Sequence, residues 1–348
     1  MPKRIGYVFE ELISEENCNA AVKSAIRRKK KTRFIRHVQK HIKEYGDRTR
    51  RIIIEGWEPE PTREKTINEG TNRKKRSLRI PTLRDHFVHS AVALILEKYL
   101  TKRFYFYSCG SLPNRGQTFA VKAIEKHMRT KCPKYAAVAD VKQFYHSVKK
   151  EHVMWCLRRV FKDEKFLAIN EKILDQMGDG LAIGFTVSHW YAHLVLSFVD
   201  SDIKEGDSQT FIVRFMDNIV MFGNNKRKLH RKLDKLRVSL GRFDLGLKGD
   251  WQVFPIESRM LEFLSYRFDH EKTILRKGLM IRMSRRFKSA SGHLDAHAAR
   301  TIMSYRGILK HCDSYNFRKS YLYPNVSIKL CRRLISDADK KRILCGAA

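Results

Sequence analysis

Two apolar, β-favouring runs constrain this chain more than any other feature. "YAAVAD" (135–140) ends on an acid, and "FIVRFMDNIVMFG" (211–223) breaks around Met216, Asp217 and Asn218 as a tight hairpin with a carboxylate at its tip. Asp140 and Asp217 lie 77 residues apart. Taken singly, either acid reads as a turn residue or a cap. If the two strands are neighbours in one antiparallel sheet, however, the acids converge on one point, and carboxylates held that close repel unless cations lie between them.

The surrounding composition narrows the class of partner. Lys plus Arg outnumber Asp plus Glu by 71 to 37, a formal charge of +34 spread along all 348 residues. With 43% hydrophobic residues the chain has enough apolar content for a substantial core. A basic globular chain of this kind is most simply matched by a polyanion, either nucleic acid or an anionic membrane surface. No apolar run reaches ~18 residues, and "MPKRIGYVFEELISEEN" lacks a signal-peptide core, so the expectation is a soluble, cytoplasmic protein without a membrane partner. The seven cysteines form no C-x-x-C pair, which suits reduced thiols better than disulfides or structural zinc.

Read for organisation, residues 7–45 are helical, broken by the cationic "RRKKK" at 27–31. Residues 57–81 are rich in turn formers and then cations, predicting a loop or ribbon, and 85–100 have helical spacing. "CGSLPNRGQTFAVKAIEKHM" is a turn-rich loop entering a helix, with Arg115 and Gly116 at the junction, where backbone N–H groups and a cation suit phosphate. A helical stretch follows over 151–177, then a Gly-rich loop and a long apolar helix, the 211–223 hairpin, a helix at 226–240, and the short strands "LKGDWQVFP" and "LEFLSYRF". Beyond about 275 the chain is basic and largely helical. The His pairs 37/41 and 293/297 have an i, i+4 metal spacing but lack a glutamate between them, and read as solvated or phosphate-facing.

Mg²⁺ prefers carboxylate and phosphate oxygens, and a pair of such ions can activate a 3′-hydroxyl and stabilise departing pyrophosphate. The order strand–Asp, Gly-loop–helix, hairpin–Asp and Lys-bearing strand resembles the motif series of reverse transcriptases. The bacterial kinds are the nearest match: group II intron, retron, diversity-generating and phage-defence-associated enzymes. The carriers are "RIPTLRDHFVHSAV", "CGSLPNRGQTFAV", "ADVKQFYHSV", "GLAIGFTVSHWYAHLVLS", "RFMDNIVMFG", "LGLKGDWQVFP" and "LEFLSYRF", in order along nearly the whole chain.

That resemblance implies an α+β right-hand polymerase. Fingers would occupy 1–134 and return at 151–178, a palm with an antiparallel sheet would fall within 135–268, and a basic helical thumb and tail would cover 269–348. It implies two Mg²⁺ ions, with Mn²⁺ as an alternative, held by Asp140, Asp217 and the carbonyl of Val141. Tyr145 falls where the family carries a bulky side chain against the ribose 2′-OH, which favours dNTP over NTP. Ile183 and Gly184 match the loop that packs on the incoming nucleotide, with Ile where many relatives have Gln, a change associated with low fidelity. Lys248 matches the residue that protonates pyrophosphate, and Arg79 and Arg115 are the candidates for the triphosphate. Asn218 stands where relatives carry a second Asp. It keeps an acceptor oxygen but loses the charge.

The implied activity is RNA-directed DNA synthesis from a primer, with an RNA template, a DNA or RNA primer, dNTPs, and a dedicated structured RNA or accessory protein as partners. Two rivals stand beside it: a catalytically silent nucleic-acid binder, supported by Asn218, and template-independent or protein-primed synthesis in phage defence. Oligomeric state is not legible.

Overall fold

The computed structural model describes residues 3–27, 29, 32–69, 74–207, 209–292 and 294–344. His293, Cys345 and three members of the 27–31 cationic run lie outside the described residues.

The chain opens with four helices, α1 (Val8–Leu12), α2 (Glu15–Ile26), α3 (Arg33–Lys40) and α4 (Ile42–Ile54). Ser14 and Thr32 cap α2 and α3 with their hydroxyls, which accounts for the breaks in the long helical pattern. The turn-rich stretch forms an antiparallel ribbon of β1 (Arg63–Glu69) and β2 (Lys74–Ile80), and α5 (Leu83–Leu100) follows. After β3 (Ser108–Cys109) and α6 (Gln117–Lys131) come β4 (Tyr135–Asp140), the short α7 (Phe144–Ser147), and two helices, α8 (Lys150–Val160) and α9 (Glu164–Met177), where one helical stretch was expected. Asp163, capping α9 through its carboxylate, marks the split.

Next are α10 (Ser188–Lys204), the hairpin strands β5 (Phe211–Phe215) and β6 (Asn218–Gly223), α11 (Lys226–Gly241) and β7 (Gln252–Pro255). Lys248 is therefore not inside a strand as expected; it follows Leu247, which forms an isolated bridge with Val141. A second hairpin joins β8 (Leu261–Phe263) to β9 (Tyr266–Phe268), with both turn residues, Leu264 and Ser265, left-handed, so the usual Gly is dispensable. The strand β10 (Thr273–Leu275) closes that sheet, and α12 (Lys277–Gly292), α13 (Ala296–Leu309), α14 (Tyr315–Phe317) and α15 (Ile328–Leu344) complete the described chain.

The central sheet has the order β3-β5-β6-β4-β7. Its period-two alternation divides the interior. Ala137, Ala139, Ile212, Ile219 and Met221 face one core with the N-terminal helices, α8, α9 and α10. Ala136, Val213, Val220 and Phe222 face another, shared with α6, the small sheet and the C-terminal helices. With both faces covered, β6 reads as a continuous apolar run over 219–222 rather than an alternating one. No described helix is long and apolar enough to cross a membrane.

Candidate active site

Several chain segments meet at one end of the inner strands of the central sheet. Antiparallel pairing of β4 with β6 places Asp140 opposite Asn218, and the two-residue turn Met216–Asp217 sets the hairpin acid beside it. Val141 N–H donates to the Asp217 carbonyl at 3.2 Å, Lys142 N–H to Gly246 O at 2.8 Å, and Lys248 N–H to Asp140 O at 2.8 Å. The backbone itself thus draws Asp140, Asp217 and Lys248 together.

Their side chains are electrostatically coupled. Lys248 Nζ donates to Asp140 Oδ2, while Asp140 Oδ1 is buried and finds no donor among the described residues. Burial, reinforced by the Asp140 charge and by competition between the two carboxyls for a proton, pushes the Asp217 carboxyl above its ordinary value. Its own backbone N–H and the Lys248 cation pull the other way. Asn218 Nδ2 lies 3.5 Å from Asp217 Oδ1, a distant amide contact where a second acid would have added repulsion. A buried oxygen without a donor, beside a second carboxyl whose charge is disfavoured by burial and by its neighbour, is a donor set that fits a divalent cation. Among the described residues no cluster of three or more His, Cys, Asp or Glu is present, so a cation here would complete its shell with main-chain, water or substrate oxygens.

Tyr145 follows from the same strand end. Gln143 takes a left-handed conformation that launches α7, and the Tyr145 carbonyl accepts from Leu181 N–H at 2.6 Å. Burial first, and the Asp217 charge second, push the Tyr145 hydroxyl up, against the pull of Arg76. Arg76 is thus a cation of the site that the sequence reading did not single out, one of several in β2.

Ile183 and Gly184 lie directly under the end of the ribbon. Arg79 N–H donates to Ile183 O at 3.0 Å, and a Cβ on Gly184 would sit 2.3 Å from the Arg79 carbonyl, at a φ of +117°. The Arg79 guanidinium donates to Met177 O and pairs with Glu64 at 3.3 Å.

Arg115 departs from expectation. Its guanidinium donates to Tyr105 O at 3.1 Å and reaches Thr101 O at 3.5 Å, with its carbon 5.5 Å from the centre of the Phe106 ring. Three bulky or carbonyl partners within its own loop hold it as a clamp there, and it is not among the cations gathered at the carboxylates. His37 and His41 stack on one another, with ring centroids 4.3 Å apart.

Sequence reasoning also missed a buried polar set beneath the hairpin, Arg214 with Asp200, Ser108 and His193. Its signal was present, since Arg214 interrupts an apolar strand and His193 and Asp200 interrupt an apolar helix.

Residues 64–268, more than half of the chain, match the reverse transcriptase (RNA-dependent DNA polymerase) family. The protein belongs to that family. Among curated proteins none matches significantly. A solved telomerase shares its fold. One from Candida albicans, in complex with a TWJ fragment of telomeric RNA, has a TM-score of 0.50 at 12% identity over 84% of this chain and 59% of that one. One from Candida tropicalis, also with a TWJ fragment, scores 0.49 at 12% identity over 82% of this chain and 62% of that one. The chain spans about six-tenths of those telomerases. The architecture is that of a right-hand polymerase.

Proposed function

We propose that the protein is an active RNA-directed DNA polymerase of the bacterial kind, extending a primer with dNTPs on an RNA template. The observation that carries the reading is the meeting of Asp140 and Asp217 at the ends of inner strands of the sheet, with an Asp140 oxygen left without a donor and Lys248 on its other oxygen.

In this reading Asp140, Asp217 and the Val141 carbonyl hold two Mg²⁺ ions, for which Mn²⁺ substitutes. When bound, the metal activates the primer 3′-hydroxyl and neutralises charge on the pyrophosphate. The protein's own groups do the rest. Lys248, an ammonium on the carboxylate rim, gives a proton to the leaving group. Tyr145 walls the sugar site so that a 2′-OH collides with its ring. The Ile183–Gly184 loop supports the base pair without a side-chain hydrogen bond, which lowers fidelity. Arg79 faces the triphosphate, and Arg76, near Tyr145, adds to the positive charge of the site.

Residues 1–134 and 151–178 serve as fingers, the rest of 135–268 as palm, and the basic helices from 269 onward as thumb. The charge of +34 holds template and primer. A dedicated structured RNA or an accessory protein supplies template choice, in a cytoplasmic setting of diversification, defence or mobility.

Asn218 favours a second reading, a silent binder that keeps fold and charge. Primer extension on a primed RNA template with Mg²⁺ and labelled dNTPs, beside Asp217→Ala, decides between them. Synthesis by the native protein that is lost in the variant supports the polymerase. No synthesis with template binding intact, and none with Mn²⁺ or after Asn218→Asp, sinks it. Omitting template and primer in turn separates template-independent and protein-primed synthesis.

A further inference from the structure

On the face of β5 that looks toward α10, four polar side chains are sealed inside the core. Arg214, Asp200, Ser108 and His193 are each no more than 2% exposed. The guanidinium is fully engaged. Arg214 Nε donates to Asp200 Oδ1 at 2.9 Å, and Nη2 to Asp200 Oδ2 at 2.6 Å and Ser108 Oγ at 3.1 Å. Nη1 reaches His193 Nδ1 at 3.4 Å and donates to the Met216 carbonyl at 3.0 Å. His193 Nε2 faces Gly110 O at 2.7 Å, so that nitrogen carries the proton and Nδ1 is left to accept from the arginine.

A buried ion pair is by itself weak evidence of a stabilising role. What distinguishes this one is where it ends. Met216 immediately precedes Asp217 and has a φ of +55°, a left-handed conformation that a residue with a side chain seldom keeps unaided. Its N–H donates to Cys109 O at 2.9 Å and its carbonyl accepts from Arg214, so the strained residue is pinned on both sides. Gly110 closes over it, since a Cβ there would lie 2.8 Å from Met216 Cγ. Release of the carbonyl would let Met216 relax, and rotation at that residue redirects the carboxylate of the next.

We propose that Arg214, oriented by Asp200, Ser108 and His193, is a positioning residue that fixes the Met216 peptide and thereby aims Asp217 at the metal site. The proposal rests on the polymerase reading for its role in synthesis, but its direct effect is on cation binding. With Asn218 in place of an acid, the site has one fewer charge to tolerate a misdirected Asp217.

The test uses the full-length protein and Mn²⁺ as the probe, bound without primer or dNTP and followed by water-proton relaxation. Arg214→Lys keeps a cation against Asp200 but has no second arm to reach Met216. Arg214→Met combined with Asp200→Leu removes both charges together, which a core commonly tolerates. In each variant the dissociation constant for Mn²⁺ should rise by about tenfold or more, the usual effect of losing a group that orients a metal ligand. Primer extension should lose about tenfold in kcat, with KM for dNTP within about twofold.

Unchanged Mn²⁺ affinity in either folded variant overturns the proposal. So does failure of both to fold, which would make the network a stability element alone. Mn²⁺ binding by the native protein that depends on Asp217, with no synthesis, would sink the polymerase reading and leave the positioning role standing. Native synthesis with Arg214→Lys binding Mn²⁺ normally would sink the positioning role alone.

Discussion

Asp140 stands directly across the β4–β6 ladder from Asn218, not from Asp217. The register follows from the apolar alternation, because a one-residue slip would turn Ile219 and Met221 away from their core and expose every side chain of β6 to the wrong face. The consequence is that the ladder pairs an acid with an amide, while the second acid sits in the turn, where burial and Asp140 raise its pKa. The amide therefore stands beside the two-acid centre rather than replacing either member of it.

Asn218→Asp should consequently change the rate of primer extension by less than about tenfold, or roughly 1.4 kcal/mol of barrier. The same substitution adds a third negative charge next to Asp217 and should lower the Mg²⁺ concentration for half-maximal rate. A metal titration of both proteins checks this. An increase of several orders of magnitude in rate would show the native protein to be silent.

Tyr145→Ala should open the sugar site. Tyr145 is held against the Gly-rich loop by the Leu181 N–H to Tyr145 O bond at 2.6 Å, so its position is set by backbone and survives truncation of the ring. Discrimination between dNTP and NTP should fall by about 10–200-fold, the range by which a pocket distinguishes ligands differing in one small group. Competing kcat/KM values for one dNTP and its ribonucleotide measure it.

Gly184→Ala should be damaging out of proportion to its size. The φ of +117° is costly for any side chain, and a new Cβ would stand 2.3 Å from the Arg79 carbonyl, a backbone atom that cannot swing aside. A loss of about 1–3 kcal/mol from conformation alone is expected in urea unfolding. The contact between β2 and the loop should also loosen, raising KM for dNTP.

Stability should fall on mild acidification. Burial lowers the pKa of His89 to about 3 and drives that of His193 well below 6.5, with Arg214 adding to the effect. Both are neutral in the fold, whereas the unfolded chain protonates them near pH 6.5. The unfolded state then binds more protons, so stability is present above that value and is progressively lost as pH falls below it. At pH 5.5 each accounts for about 1.4 kcal/mol. Urea unfolding at pH 7.5 and 5.5 measures the loss, and His89→Leu should reduce its pH-dependent part by about half of the two-histidine sum.

Much of the site was legible from the order of motifs. Asp140, Tyr145, Gly184 and Asp217 each occur in a local pattern that fixes their own element; the pairing of β4 with β6 sets Asp140 beside the hairpin turn, and backbone bonds from Leu181, Arg79 and Lys248 tie in the other segments. The ribbon, the hairpin and the helices were likewise local patterns of apolar spacing and turn residues. The sequence was less informative wherever a side chain had several comparable destinations.

Arg115 is the clearest case, since an arginine at a loop–helix junction suits phosphate and carbonyl oxygens equally. Only the folding of its own loop supplied Tyr105 O and Thr101 O within reach. Lys248 was placed in a strand by its neighbours, and the bridge at Leu247 took that position instead. Arg214, Asp200 and His193 each interrupt an apolar run and were not singled out. Their meaning depends on a helix crossing behind a strand, with the arginine 14 positions along the chain from its acid and 106 from Ser108. Local periodicity, capping and turn chemistry act within a few residues and so determined the elements and the carriers of chemistry. Long-range packing decided which polar groups share a partner, because a buried hydrogen bond forms only between groups that the whole fold has brought within about 3 Å.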